Sequence, residues 1–221
     1  MHVRFERRIE QKLEAMAEGF GKRKQNPLRV AQKAGRLIGR LSILDPIVRT
    51  HPDSADIVLK AGTARQYKGL RLHALGRLPE AADSFRQALT ELDAMTNAKP
   101  GQPSGSAGVV GNEDGLAEVY AEQGDREAAL SHAEKALAKA QKYAASHLGL
   151  PWGTGMLATA WFELAWVERT VGEWDRAAAD LERATSLWGL IGGDQGVLSV
   201  HRQARERADG LVREIAMHRA Q

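Results

Sequence analysis

Small and apolar residues return every three or four positions over most of the chain, the spacing of one face of a helix. The pattern itself repeats. Residues 62–95, 110–143 and 158–191 align with one another without a gap, and the glycines that punctuate them, Gly76, Gly124 and Gly172, lie 48 residues apart both times. Each segment reads as two helices meeting at that glycine, which takes up the left-handed backbone conformation that ends a helix at little steric cost. Small residues stand where the two helices of a hairpin press together: Gly69, Ala117 and Ala165 on the first helix, Ala81, Ala129 and Ala177 on the second. Leu72, Tyr120, Phe85 and Leu181 are the bulkier core members between them, and Ala88, Ala136 and Ala184 leave room for the next hairpin to approach.

Outside these segments the pattern is weaker but continuous. The run from Lys99 to Gly108, with Pro100, Gly101, Pro103 and Gly105, is rich in helix breakers and predicts a loop. After the second segment, Tyr143 to Leu148 continue the helix until Pro151 stops it. One period upstream of the first segment, Ala34, Leu37, Leu41 and Leu44 fall under Ala82, Phe85, Leu89 and Leu92, which predicts a degenerate hairpin whose first helix is residues 3–20, followed by a loop at 21–27. Phe5, Ile9, Leu13, Met16 and Phe20 form the apolar stripe of that helix. Downstream, Gly192, Gly193 and Asp194 break the chain before a polar helix at about 196–219, whose Leu198, Leu211, Val212 and Ile215 are expected to cover the last hairpin. The expected organisation is a basic helical segment over 1–54, three hairpins over 55–191 and a capping helix over 192–221.

At these spacings the chain resembles the tetratricopeptide repeat, whose pattern is W-x2-L-G-x2-Y followed by A-x3-F. Trp161, Leu164, Ala165, Ala177, Leu181 and Ala184 carry the resemblance in the third copy. Leu116, Ala117, Tyr120, Ala129, Ala133 and Ala136 carry it in the second, and Gly69, Leu72, Ala81, Phe85 and Ala88 in the first. Lys68 stands where the first copy should have Leu, and Glu168 where the third should have an aromatic. The family repeat is about 34 residues, so a 48-residue spacing leaves about 14 to lengthen helices or form linkers. The resemblance implies an all-α superhelical stack of antiparallel hairpins, closed by capping helices. More loosely, the 48-residue period, the stretch around Asp45–Ser54 and the tail from Ser186 to Ala216 resemble the repeat region that follows the catalytic domain in some bacterial serine/threonine kinases. No glycine-rich loop, catalytic loop or Asp-Phe-Gly of a kinase is present.

Charge and chemistry narrow the function. Residues 1–50 hold 12 Lys/Arg against 5 Asp/Glu, so the net charge of +3 divides into +7 there and −4 over the remainder. Absence of cysteine excludes thiolate metal sites, disulfides and a cysteine nucleophile. No apolar run reaches the roughly 20 residues needed to cross a bilayer, and the first residues lack a secretory signal, so a cytoplasmic location is expected. Gly105, Gly108 and Gly111 lack the Gly-Lys-Ser/Thr of a phosphate loop. The seven histidines show no His-x-x-x-His pair, and Ser84, Ser104 and Ser131 lack a nucleophile-elbow setting. No cofactor, metal or catalytic residue is therefore expected.

What remains is a surface. Stacked hairpins curve, and in this family the first helices line a concave face that receives a peptide or a partner helix. On that face the sequence places Gln66, Tyr67, Leu70 and His73 in copy one, Asp114 and Glu118 in copy two, and Phe162, Glu163, Trp166 and Arg169 in copy three. Acidic residues beside aromatics favour a basic or aromatic-containing peptide. A non-catalytic protein-binding scaffold is the leading expectation. The alternative is contact with nucleic acid or an acidic membrane surface through a basic strip of Arg4, Arg7, Arg8, Lys12, Lys22, Arg23 and Lys24.

Overall fold

A computed structural model describes residues 41, 43–51, 54–98, 103–147, 150–191 and 199–221. Among them the ordered elements are all helical. A helical stretch over 43–50 precedes α1 (Ala55–Ala74), α2 (Leu78–Ala98), α3 (Pro103–Glu122), α4 (Arg126–Ser146), α5 (Pro151–Thr170), α6 (Trp174–Ile191) and α7 (Ser199–Arg219). First helices begin at 55, 103 and 151 and second helices at 78, 126 and 174, so both series keep the 48-residue period. The surplus over the family repeat lengthens the helices, which reach 20 or 21 residues in the first two hairpins.

The hairpin turns follow from three glycines. Gly76, Gly124 and Gly172 have φ of 68°, 78° and 88°. That reversal lets the next residue's N–H reach back to a carbonyl five residues earlier: Arg77 to Leu72 at 2.9 Å, Asp125 to Tyr120 at 2.9 Å and Glu173 to Glu168 at 2.7 Å. At the second turn Asp125 also caps α4, its carboxylate accepting from the Ala128 N–H at 3.1 Å.

Packing between hairpins depends on missing side chains. Phe85 on α2 is fully buried between two glycines: a Cβ on Gly69 of α1 would lie 2.5 Å from its ring, and one on Gly115 of α3 would lie 2.6 Å away. Leu92, about two turns along the same face, is held in the same way between Gly62 and Gly108, at 2.7 and 2.9 Å. This explains a departure from expectation. Residues 103–108 are not a loop but the first turns of α3, because bare backbone there lets α3 lie against Leu92. Burying that side chain offsets the ~1 kcal/mol that each glycine costs inside a helix. Pro151 likewise does more than stop a helix, since it opens α5 in the first turn.

Among the described residues the first helices touch one another, α1 to α3, α3 to α5 and α5 to α7, whereas α2, α4 and α6 do not. First helices thus form the inner layer and second helices the outer, and the array curves with α1, α3 and α5 inside.

α7 continues the series, starting at 199. It buries Ala204, Ala208, Leu211 and Ile215 at positions one period beyond Met156, Ala160, Glu163 and Val167. The positions that would receive a second helix have changed: Gly69, Ala117 and Ala165 are followed by Arg213, and the turn glycine by Ala220. That polar face ends the repeat pattern. Val212 does not cover the hairpin as expected. It is 49% exposed, whereas its equivalents Leu116 and Leu164 are buried, because α7 keeps its contact with α5 and meets α6 far less extensively than α3 meets α2. Leu198 lies outside the described residues, as do the expected helix over 3–20, the loop at 21–27 and the basic strip from Arg4 to Lys24. Of the degenerate hairpin, Leu41 is buried, and Asp45 pairs with the buried Arg65 of α1, which also donates to Glu91 at 2.7 Å.

The turn and packing glycines separate in a denaturation experiment. Nothing lies within 4 Å of a Cβ at Gly124, so Gly124→Ala should lose only the backbone term, about 1 kcal/mol in urea denaturation. Gly115→Ala drives a methyl group into Phe85 and should lose clearly more. Equal losses would contradict the close approach of α3 to α2.

Candidate functional site

The inner face divides into an open half and a closed half. On α1, Tyr67 is 50% and Leu70 37% exposed, while Gln66 is half-buried with its amide against Gly111. His73 bonds to Glu122 of α3 at 2.9 Å and lies 3.7 Å from Glu118. Burial opposes protonation of His73, but the bond to Glu122 and the charge of Glu118 outweigh it and raise its pKa.

The closed half is built from α3, α5 and α7. Phe162 is fully buried and tilts against Trp166 and Trp188, with ring centroids 6.2 and 6.0 Å away. Over Phe162 and Trp166 lies the guanidinium of Arg207, 5.1 and 4.5 Å from the two ring centroids. The same group donates to Glu118 of α3 at 2.7 Å and to Glu163 of α5 at 3.0 Å, so it spans the inner layer from α7 to α3. Arg169 also lies over the indole, 4.1 Å from the Trp166 ring centroid, and pairs with Glu214 of α7 at 3.1 Å.

Glu118 and Glu163 share this one guanidinium, and Asp114 lies near enough to feel its charge. Burial pushes the Glu163 carboxyl up to about 7 against the pull of Arg207. Burial likewise raises Asp114 well above the usual carboxylate range, and Glu163, Glu118 and Glu113 add to the shift. Asp114 Oδ1 and Glu163 Oε2 are buried without a hydrogen-bond partner. The arrangement holds the planar cation of Arg207, with carboxyl groups at its N–H groups and aromatic faces against its plane.

The structure brings Asp114, Glu118, Phe162, Glu163 and Trp166 into one notch and leaves Tyr67 and Leu70 open beside it. Arg207 is the member that sequence reasoning missed. The available signal was the 48-residue period, which carries Thr63, Gly111 and Thr159 on to Arg207.

A tetratricopeptide repeat family model matches residues 114–144, the second half of α3 and nearly all of α4, and the helix order and turn geometry are those of its hairpins. The chain contains a tetratricopeptide repeat. A search of curated proteins finds no match. Repeats of this kind generally mediate contact between proteins and are typically non-catalytic scaffolds. Among the described residues of this tetratricopeptide stack, no helix is long and apolar enough to cross a membrane, and no group of three His, Asp or Glu is placed to hold a metal ion.

The outer side of the stack has a cleft of about 430 Å³ between α4, α5 and α6, lined by Glu134, Trp161, Arg176, Asp180 and Arg183 among others. Its charged groups pair with one another, although neither oxygen of the buried Glu168 has a hydrogen-bond partner. Arg183 pairs with Asp180 and lies over Trp161, and Arg176 pairs with Glu134 and with Glu168. Glu168 takes the family's aromatic position, is fully buried, and has the Arg176 Nε at 2.9 Å. Burial, reinforced by the charge of Asp180 and opposed by Arg176, pushes its carboxyl up to about 7.

A carboxyl whose folded pKa exceeds its unfolded value favours the folded state fully at low pH and loses that advantage as pH rises from about 4.5 to about 7. Glu168→Gln should therefore flatten the fall in thermal midpoint over this window and be the more stable protein at pH 8. Parallel curves for the two proteins would show that Glu168 ionises normally in the fold.

Proposed function

We propose that the chain is a non-catalytic cytoplasmic scaffold that holds another protein on the inner face of its first helices. One observation carries this reading: a guanidinium is already seated among Glu118, Glu163, Phe162 and Trp166, beside an open strip that exposes Tyr67 and Leu70. Groups arranged to hold a cation against aromatic faces suit the basic side chain of a partner helix or peptide. Exposed Tyr and Leu next to them supply the apolar contact from which affinity mostly comes. The resemblance to kinase-associated repeat regions makes a bacterial signalling assembly the setting in which such recruitment would act as a regulatory or sensor module.

The test is capture from a bacterial lysate on the immobilised full chain, beside a Tyr67→Ala/Leu70→Ala/Glu122→Lys variant. All three residues are exposed, so the variant should keep the wild-type thermal midpoint within a few degrees. A discrete protein retained by the wild type, lost at least about tenfold on the variant and indifferent to nuclease is the expected result. Capture that the variant leaves unchanged would contradict the inner-face reading. Retention of nucleic acid or lipid that vanishes with salt and with Arg4, Arg7 and Arg8 changed to Ser would favour the basic strip instead.

A further inference from the structure

We propose that Arg207 is an exchangeable plug in a receptor for the arginine side chain of a protein partner, and that the partner's guanidinium replaces it against Glu118, Glu163, Phe162 and Trp166. The proposal rests on reading the inner face as a partner-binding surface, and it adds what the notch recognises and what holds it shut.

Position comes first. α7 takes the place of a first helix in the next repeat, and its Arg207 reaches back across α5 to α3. The equivalent positions one and two periods earlier are Thr159 and Gly111, neither long enough to do so. Stacking alone does not need this arm, because Ala204, Ala208, Leu211 and Ile215 already seat α7 on α5 and α6.

The fit is also incomplete. Glu118 and Glu163 both accept from Arg207, yet Glu163 Oε2 and the Oδ1 of Asp114 are buried with no donor. A ligand that brings its guanidinium together with further N–H groups, as an arginine on a helix or peptide does, satisfies more of these oxygens than Arg207 alone.

Access is available as well. The Arg207 side chain keeps 31% of its surface in solvent, against 16% for Glu118 and 12% for Glu163, so the plug faces outward while its receptor lies beneath. The open strip of Tyr67 and Leu70 leads to the notch through His73 and Glu118, the residue on which Arg207 closes. A helix laid along that strip brings its own cation to the same carboxylates, and the two guanidinium groups exclude one another.

Chemical rescue tests this without knowledge of the partner. In the full chain, Arg207→Ala empties the notch, and methylguanidine is titrated at millimolar concentration with tryptophan fluorescence and thermal midpoint as readouts. The expected result is saturable binding to Arg207→Ala, a rise in its thermal midpoint, about tenfold weaker binding of the neutral isostere N-methylurea, and no response from the wild type, whose notch is filled. Adding Glu163→Gln to the variant should weaken methylguanidine binding by a further tenfold or so. Equal responses to methylguanidine and N-methylurea, or no response from a folded Arg207→Ala protein, would overturn the proposal. If Arg207→Ala does not fold, Arg207→Gln, which also removes the cation, carries the same titration with the same criteria. Rescue without inner-face capture from a lysate would leave the receptor standing and remove the scaffold reading. Capture without rescue would remove the receptor alone.

Discussion

The close approach of helices at glycine governs the rest of this structure. Phe85 and Leu92 each enter a space that exists only because two residues, one on α1 and one on α3, have no side chain. Such contacts fix the second helix of a hairpin against its own first helix and against the next one at once, so they set the spacing and rotation from one repeat to the next. Later repeats use Ala117, Ala165, Ala129 and Ala177 for the same purpose, all fully buried. With the repeat geometry fixed, the inner layer of first helices follows, and on the inner face side chains from α3, α5 and α7 meet at Arg207.

That face concentrates charge at a cost. Three carboxyl groups and one guanidinium are largely withdrawn from water on this face, and two of the carboxyl oxygens lack partners. Buried ionic groups seldom add stability when aliphatic residues of the same volume would fit. In the proposed reading these groups, next to exposed Tyr67 and Leu70, serve recognition rather than the core. The outer cleft also buries carboxyl oxygens without hydrogen-bond partners, here both oxygens of Glu168. Its ionic groups pair with one another, and Glu168 replaces an aromatic without opening a surface for a ligand.

The sequence displayed the hairpins clearly because their determinants are local. Gly76, Gly124 and Gly172 act within five residues, and the small residues opposite one another recur at a fixed interval. The segment 103–108 was misread for a physical reason: its glycines look like a linker until the side chain they accommodate, Leu92 on the previous helix, is known. Val212 has the right spacing for the core but lies on a helix that opens away from α6. The inner-face residues were legible as positions, not as a site. Glu118 and Glu163 become a notch only when Arg207 arrives from 89 and 44 residues further along the chain, and no local pattern announces that meeting.

The pair Glu118 and Arg207 offers the most direct test, because these residues come within hydrogen-bond distance only if the period, the packing and the curvature of the whole inner layer are right. A double-mutant cycle with Glu118→Gln and Arg207→Gln, measured by urea denaturation, should give a coupling energy of about 1–3 kcal/mol, in keeping with a charge-assisted bond that is mostly shielded from water. A coupling indistinguishable from zero, with both single variants folded, would mean that α7 does not close on α3 and that the inner face has a different shape.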